Sequence, residues 1–221
     1  MKRFIPVALL FLLCMACRQK NGETKTGATD TIKKTAPASA TDAHPETISD
    51  PEEIGALPAT LAAFVPEGFS ALDTAYGNLN KDAYTDMILV LKNNAEDTSS
   101  EQLNRPMILL LGQQDGTWKK AAENDKVISC VSCGGAKGDP FQNLVIKNGY
   151  FSAEFYGGAA QLWTRTVTFK YVPEEKSWFL HKDGSSSWYC CDEENRDEKE
   201  TIKTTKDFGK VQFEDFDIYK D

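Results

Sequence analysis

Two short apolar runs narrow the folds open to this chain. Met87-Ile88-Leu89-Val90-Leu91 and Met107-Ile108-Leu109-Leu110-Leu111 are each apolar without interruption. Runs of that length suit strands covered on both faces. The residues around and after them carry hairpin chemistry. Gln114-Asp115-Gly116-Thr117 is a turn leading into Trp118. Lys147-Asn148-Gly149-Tyr150 holds the Asn-Gly pair favoured by a type I′ turn, with Val145 and Phe151 on its two arms. The segment Arg165-Thr166-Val167-Thr168-Phe169-Lys170-Tyr171 alternates, then turns at Pro173-Glu174-Glu175-Lys176 into Trp178-Phe179-Leu180. Gly209-Lys210-Val211-Gln212-Phe213 reads as the last strand. Hairpins in this succession predict an all-β fold, an antiparallel β meander of hairpins. One short N-terminal helix precedes it. Pro58 suits a first helical position, Leu57, Leu61, Phe64 and Val65 share a face, and Pro66 and Gly68 end the element.

The N-terminus follows another rule. Met1-Lys2-Arg3 is followed by an apolar run from Phe4 to Leu13 and then by Cys14-Met15-Ala16-Cys17. A basic start, a short apolar run and a small residue before a cut make residues 1–16 a secretory signal. The run falls short of the ~20 residues that a spanning helix needs. The segment ending at Cys17 resembles the lipobox of bacterial lipoproteins. Ala16 fits the position before the cut, and Cys14 stands where leucine is usual. That resemblance implies a lipid on Cys17 and residence in the bacterial cell envelope. Arg18, in place of the aspartate that marks inner-membrane retention, favours the outer membrane by analogy. An ordinary cleaved signal and an uncleaved anchor are the rival readings.

Residues 17–55 contain almost nothing to bury, so they predict a disordered tether. Roughly 40 flexible residues reach about 35 Å root mean square. Residues 56–221 then make one β-rich envelope domain. The chain carries a net charge of −8, and losing Lys2 and Arg3 with the signal makes it two charges more negative. Such a body repels nucleic acid, and no basic stripe reverses that. The partners this leaves are the membrane, through the N-terminal lipid, and an envelope protein or glycan.

One segment has the spacing of a metal site. Gly77-Asn78-Leu79-Asn80-Lys81-Asp82-Ala83-Tyr84-Thr85-Asp86 places oxygen-bearing side chains at Asn78, Asn80, Asp82 and Asp86, with a backbone carbonyl near Tyr84. Calcium takes six to eight oxygens, which alternating inward side chains can supply. Running into Met87-Ile88-Leu89-Val90, this segment resembles the FG-GAP or VCBS-type repeat, whose loop reads Asp-x-Asp/Asn-x-Asp-Gly-x-x-Asp before an apolar strand. The resemblance implies a Ca²⁺ loop and a propeller-blade-like hairpin arrangement. Asn80, Asp82 and Asp86 match; Asn78 replaces the leading aspartate and Ala83 the glycine. The motif occurs once, and the domain is too small for a complete propeller. With Cys133-Gly134-Gly135 and Gly138-Asp139-Pro140-Phe141, the domain also resembles uncharacterised bacterial lipoproteins that carry one such loop. The competing reading is a polar turn in which Asn and Asp side chains bond nearby backbone.

Four further cysteines, Cys130, Cys133, Cys190 and Cys191, read as disulfides in an exported chain. Two bridges between the clusters, or one within Cys130-Val131-Ser132-Cys133 beside a vicinal pair, are both open. Zinc held by all four is poorly served by adjacent cysteines. A thioredoxin-like use of Cys130 and Cys133 lacks a helix start after the motif. Trp163, Trp178 and Trp188 lie near glycine loops and could stack a sugar or a peptide, although such rings also fill β cores. His181 with Ser185, Ser186 or Ser187 shows no nucleophile-elbow pattern. The sequence therefore predicts a non-enzymatic, lipid-anchored envelope binding domain. A carbohydrate- or peptide-binding module of an envelope complex comes second, and an envelope hydrolase last.

Overall fold

The computed structural model describes residues 59–99, 101–191 and 197–220. The expected signal 1–16, Cys17 and the tether 17–55 lie outside the described residues. Among the described residues the chain forms two antiparallel sheets, each wound in chain order. The first holds β1 (Phe69–Gly77), β2 (Asp86–Asn93), β3 (Arg105–Gly112) and β4 (Trp118–Ile128). The second holds β5 (Phe141–Lys147), β6 (Tyr150–Gly158), β7 (Gln161–Val172), β8 (Ser177–Tyr189) and β9 (Lys199–Thr204). The protein is thus an all-β meander, as its turns predict.

The two apolar runs become β2 and β3, and both of their faces are covered. Ile88, Val90, Met107 and Leu109 pack with Phe151, Phe155, Val167 and Phe169 of the second sheet in one core cluster. Met87, Leu89, Leu91, Ile108 and Leu110 form a separate cluster on the opposite face. That face is closed by Leu61 of α1 (Ala59–Ala62) and by Phe64 and Val65 after it. Strand geometry sends successive side chains to opposite faces, so two covered faces require an unbroken apolar run. Each such side chain contributes roughly 1.5–3 kcal/mol by burial. The expected Asn-Gly turn is present, with φ of 48° at Asn148 and 80° at Gly149. The left-handed conformation at both positions lets β5 and β6 fold back with matching twist.

Two expectations fail at the C-terminal end. Gly209–Phe213 is not a strand. It makes one bridge, Phe179 with Gln212, and then enters a single 3-10 turn at Phe213–Asp215. Gly209 instead ends α2 (Thr205–Phe208), a second short helix capped by Thr204 and Asp207. Among the described residues the last strand is β9, Lys-Glu-Thr-Ile-Lys-Thr, which pairs only with β8. Its side chains are nearly all exposed, so no apolar signal marks it. Exposed charges such as Lys199, Glu200 and Lys203 on an edge strand discourage pairing with other chains.

Candidate functional site

The segment from Asn78 to Asp86 joins β1 to β2 and works as a clasp between the sheets. Leu79 is fully buried in the core shared by both sheets. The indole N–H of Trp178 on β8 donates to the Leu79 carbonyl at 3.0 Å. The Gly149 N–H at the β5–β6 turn donates to the Asn78 carbonyl at 2.8 Å. Close approach is also built into β1, because a Cβ on Gly77 would lie 2.5 Å from Ile146 Cγ2.

Asp86 anchors the other end. It is fully buried, and its carboxylate accepts the N–H groups of Leu79 at 2.7 Å, Asn80 at 3.3 Å and Gly112 at 3.1 Å. Burial pushes its carboxyl above the ordinary range, and these backbone donors, Leu79 first, only partly offset that; the Asp82 charge adds to the rise. The remaining side chains close the turn on itself. Oδ1 of Asn78 accepts from Lys81 N, Oδ1 of Asn80 from Asp82 N, and Oδ1 of Asp82 from Tyr84 N. The amide nitrogens of Asn78 and Asn80 both donate to Asp82, one to its carbonyl and one to its carboxylate.

This donor set fits calcium poorly. The side-chain oxygens of Asn78, Asn80 and Asp82 that an ion would need already accept the amides of Lys81, Asp82 and Tyr84. Asp86 spends its carboxylate on three backbone amides. Tyr84, whose carbonyl the spacing enlists, is exposed.

The aromatic trio is dispersed. Trp178 is core, 1% exposed, with its indole nitrogen committed to Leu79. It cannot stack a ligand, which corrects the expectation placed on it. Trp163 is partly buried against the same core. Trp188 is on the opposite, outer face of the second sheet. Its ring lies 6.4 Å from that of Tyr156, with planes 25° apart. The β6–β8 register puts Tyr150, Ser152, Glu154 and Tyr156 on this face with Thr164, Thr166 and Thr168, and with Lys182, Gly184 and Ser186. Tyr150 at the far end meets His181 edge-on at 5.3 Å. The sequence showed this face only as the alternation of Tyr150, Ser152, Glu154 and Tyr156 with Phe151, Ala153 and Phe155. Ser186 bonds Thr164 Oγ1 at 3.0 Å, while Ser185 lies on the inner face opposite Arg165.

Cys130 and Cys133 form a disulfide with Cα atoms 5.2 Å apart. Bridges between the two clusters are thereby ruled out. Cys190 and Cys191 are free, exposed thiols whose Sγ atoms lie 2.7 Å apart, so the expected disulfide role does not extend to them here. Mutual hydrogen bonding raises the Cys191 thiol above its ordinary value. The disulfide lines a cleft of about 560 Å³ between the β2–β3 and β4–β5 connections.

Below that cleft lies a group that sequence reading missed. Arg105 is fully buried and bonds Glu96 through Nε at 2.9 Å and Asp139 through Nη2 at 2.7 Å. Burial opposes its charge, but the carboxylates of Asp139 and Glu96 outweigh that and hold the guanidinium above its ordinary value. The only sequence signal was one arginine opening an apolar run. No family model matches the chain, and no curated protein or solved structure does either.

Proposed function

We propose that the protein is a non-enzymatic binding domain of the bacterial cell envelope, held to the outer membrane by a lipid on Cys17. Its binding surface in this reading is the outer face of the five-stranded sheet. The observation that carries the proposal is the arrangement of that face. The near-parallel Tyr156 and Trp188 rings stand at one end, Tyr150 with His181 at the other, and a field of Ser and Thr hydroxyls lies between. Tyr150 and Tyr156 stand six residue steps apart along β6, about 20 Å at ~3.3 Å per step. A row of several sugar rings or an extended peptide spans that length. Aromatic faces take apolar ring surfaces while hydroxyls satisfy polar rims. The ligand class favoured is an envelope glycan, because Ser and Thr both donate and accept.

The 78–86 loop acts in this reading as a hydrogen-bonded clasp rather than as a ligand site. The resemblance to calcium loops motivates a check. Millimolar Ca²⁺ is expected to leave the melting temperature unchanged, and a rise that Asp82→Ala abolishes would restore calcium to the site. For anchoring, labelled fatty acid should enter wild type and not Cys17→Ser.

The binding test is co-sedimentation of the intact mature protein with purified peptidoglycan and with outer-membrane glycan. Trp188→Ala and Tyr156→Ala should each weaken binding at least ten-fold at unchanged melting temperature. Tyr76→Ala, on the first sheet, should bind as wild type. Binding that survives both outer-face substitutions would exclude this face.

A further inference from the structure

We propose that Cys130–Cys133 is an exchangeable disulfide, opened in the folded protein by thiols that enter the cleft, and that its preferred reductants are cationic thiols. The two sulfurs are not equivalent. Cys130 is 4% exposed, whereas Cys133 is partly exposed at the cleft wall. An incoming thiolate reaches Cys133 Sγ, and Cys130 is the leaving sulfur.

Three side chains aim hydrogen-bond donors at these atoms. Gln102 Nε2 donates to Cys133 Sγ at 3.4 Å. The Tyr219 hydroxyl lies 3.7 Å from Cys133 Sγ and accepts the Cys130 N–H at 2.8 Å, so its own hydrogen is available to the sulfur. The Ser132 hydroxyl lies 3.6 Å from Cys130 Sγ. A disulfide sulfur has no hydrogen, so in each pair the nitrogen or hydroxyl is the donor. Donors stabilise a sulfur most when it becomes a thiolate, which speeds its departure and favours the reduced form. A purely structural bridge needs none of them.

The step balances with a dithiol as reductant. Its first thiolate attacks Cys133 Sγ, the Cys130–Cys133 bond breaks, and the electron pair leaves on Cys130 Sγ beside Ser132. A mixed disulfide now joins Cys133 to the reductant. The second thiolate attacks the reductant's own sulfur in that bond, and Cys133 leaves as thiolate beside Gln102 and Tyr219. Two electrons and two protons pass to Cys130 and Cys133, and the dithiol becomes a disulfide.

Charge selects the reductant. Arg105 offsets part of the charge of Glu96 and Asp139 beneath the cleft, while Asp97 and Glu101 line it without such a partner. Their field favours a cationic thiol over an anionic one.

The test uses the mature chain with Cys17→Ser, Cys190→Ser and Cys191→Ser, so that only this pair is counted. Opening by cysteamine and by 3-mercaptopropionate is followed by alkylation and mass spectrometry under native conditions. Measured against the ratio of the same two thiols on the neutral bis(2-hydroxyethyl) disulfide, cysteamine should show a further roughly 3–10-fold advantage at low ionic strength, and that excess should close at about 1 M salt. Gln102→Leu should slow opening several-fold at unchanged melting temperature. In single-cysteine variants, cystamine should modify the Cys133 thiol of Cys130→Ser at least ten-fold faster than the Cys130 thiol of Cys133→Ser. Opening no faster than global unfolding, or faster reaction at Cys130, overturns the exchange site. A rate ratio no larger than that on the small neutral disulfide overturns the cationic preference.

Discussion

At the scale of single residues, Asp86 shows how one buried carboxylate can hold a loop to its neighbouring strands. Its oxygens gather amides from the loop and from Gly112 at the end of β3. Asn in its place keeps one acceptor and sets an N–H₂ against backbone donors. Leaving buried donors unmet costs about 1–3 kcal/mol each. Asp86→Asn should therefore destabilise by roughly 2–4 kcal/mol, read as a melting temperature about 5–15 °C lower. Asp73 is a different case. Burial raises its carboxyl above the ordinary 3.8, and the single Thr74 amide only partly offsets this. A raised value means that the fold disfavours the charged form. The stability tied to the neutral form is complete below pH 3.8 and is lost as pH climbs through the raised value. Asn keeps the acceptor for Thr74 and never ionises. Asp73→Asn should melt a few degrees higher than wild type at pH 7, and thermal scans should show the gain vanishing near pH 3.

At the scale of elements, the clasp explains which parts of the structure could be read in advance. The strands β2 and β3 and the Asn148-Gly149 turn announce themselves, because an unbroken apolar run and a positive-φ pair each have one physical use. The 78–86 loop announced only its oxygens. Asx turns and calcium loops draw on the same residues at the same spacing, so the spacing alone does not separate them. Trp178 was misjudged for a related reason. An indole reads the same on either face of a strand, and here the β7–β8 register turns it inward. Strand β9 and the C-terminal tail stayed hidden because backbone pairing holds the first and long-range contacts hold the second. The clasp can be tested through its indole. Trp178→Phe keeps most of the buried ring and removes the donor to the Leu79 carbonyl, so it should cost about 1–3 kcal/mol. Leu79→Ala should cost about 2–5 kcal/mol. Leu79→Ala leaves the carbonyl acceptor in place but loosens the loop that presents it to Trp178, so the double variant measured by denaturant unfolding should lose less than the sum.

At the scale of the whole molecule, the two sheets are bound together by the last stretch of chain. Phe213 meets Phe169 and Phe151 of the second sheet edge-on, at 5.3 and 5.6 Å. Phe216 packs on Phe169 as well, at 5.3 Å. The same segment is tied to the first sheet. Asn124 on β4 donates to the carbonyls of Phe213 and Phe216, and the Ile218 N–H donates to Lys126. Arg165 on β7 then bonds the Ile218 carbonyl at 2.8 Å while pairing with Asp183. A tail that contacts both sheets makes their stabilities interdependent. Removing Phe213 leaves a cavity where the two layers meet, at a cost of about 3–5 kcal/mol. That is a large share of the roughly 5–15 kcal/mol by which a domain is stable. Phe213→Ala should therefore lower the melting temperature by about 6–20 °C while leaving one transition, with far-UV and near-UV signals changing together. Separate melting of the two signals in that variant would mean that each sheet holds its structure alone and that the tail is only a cover.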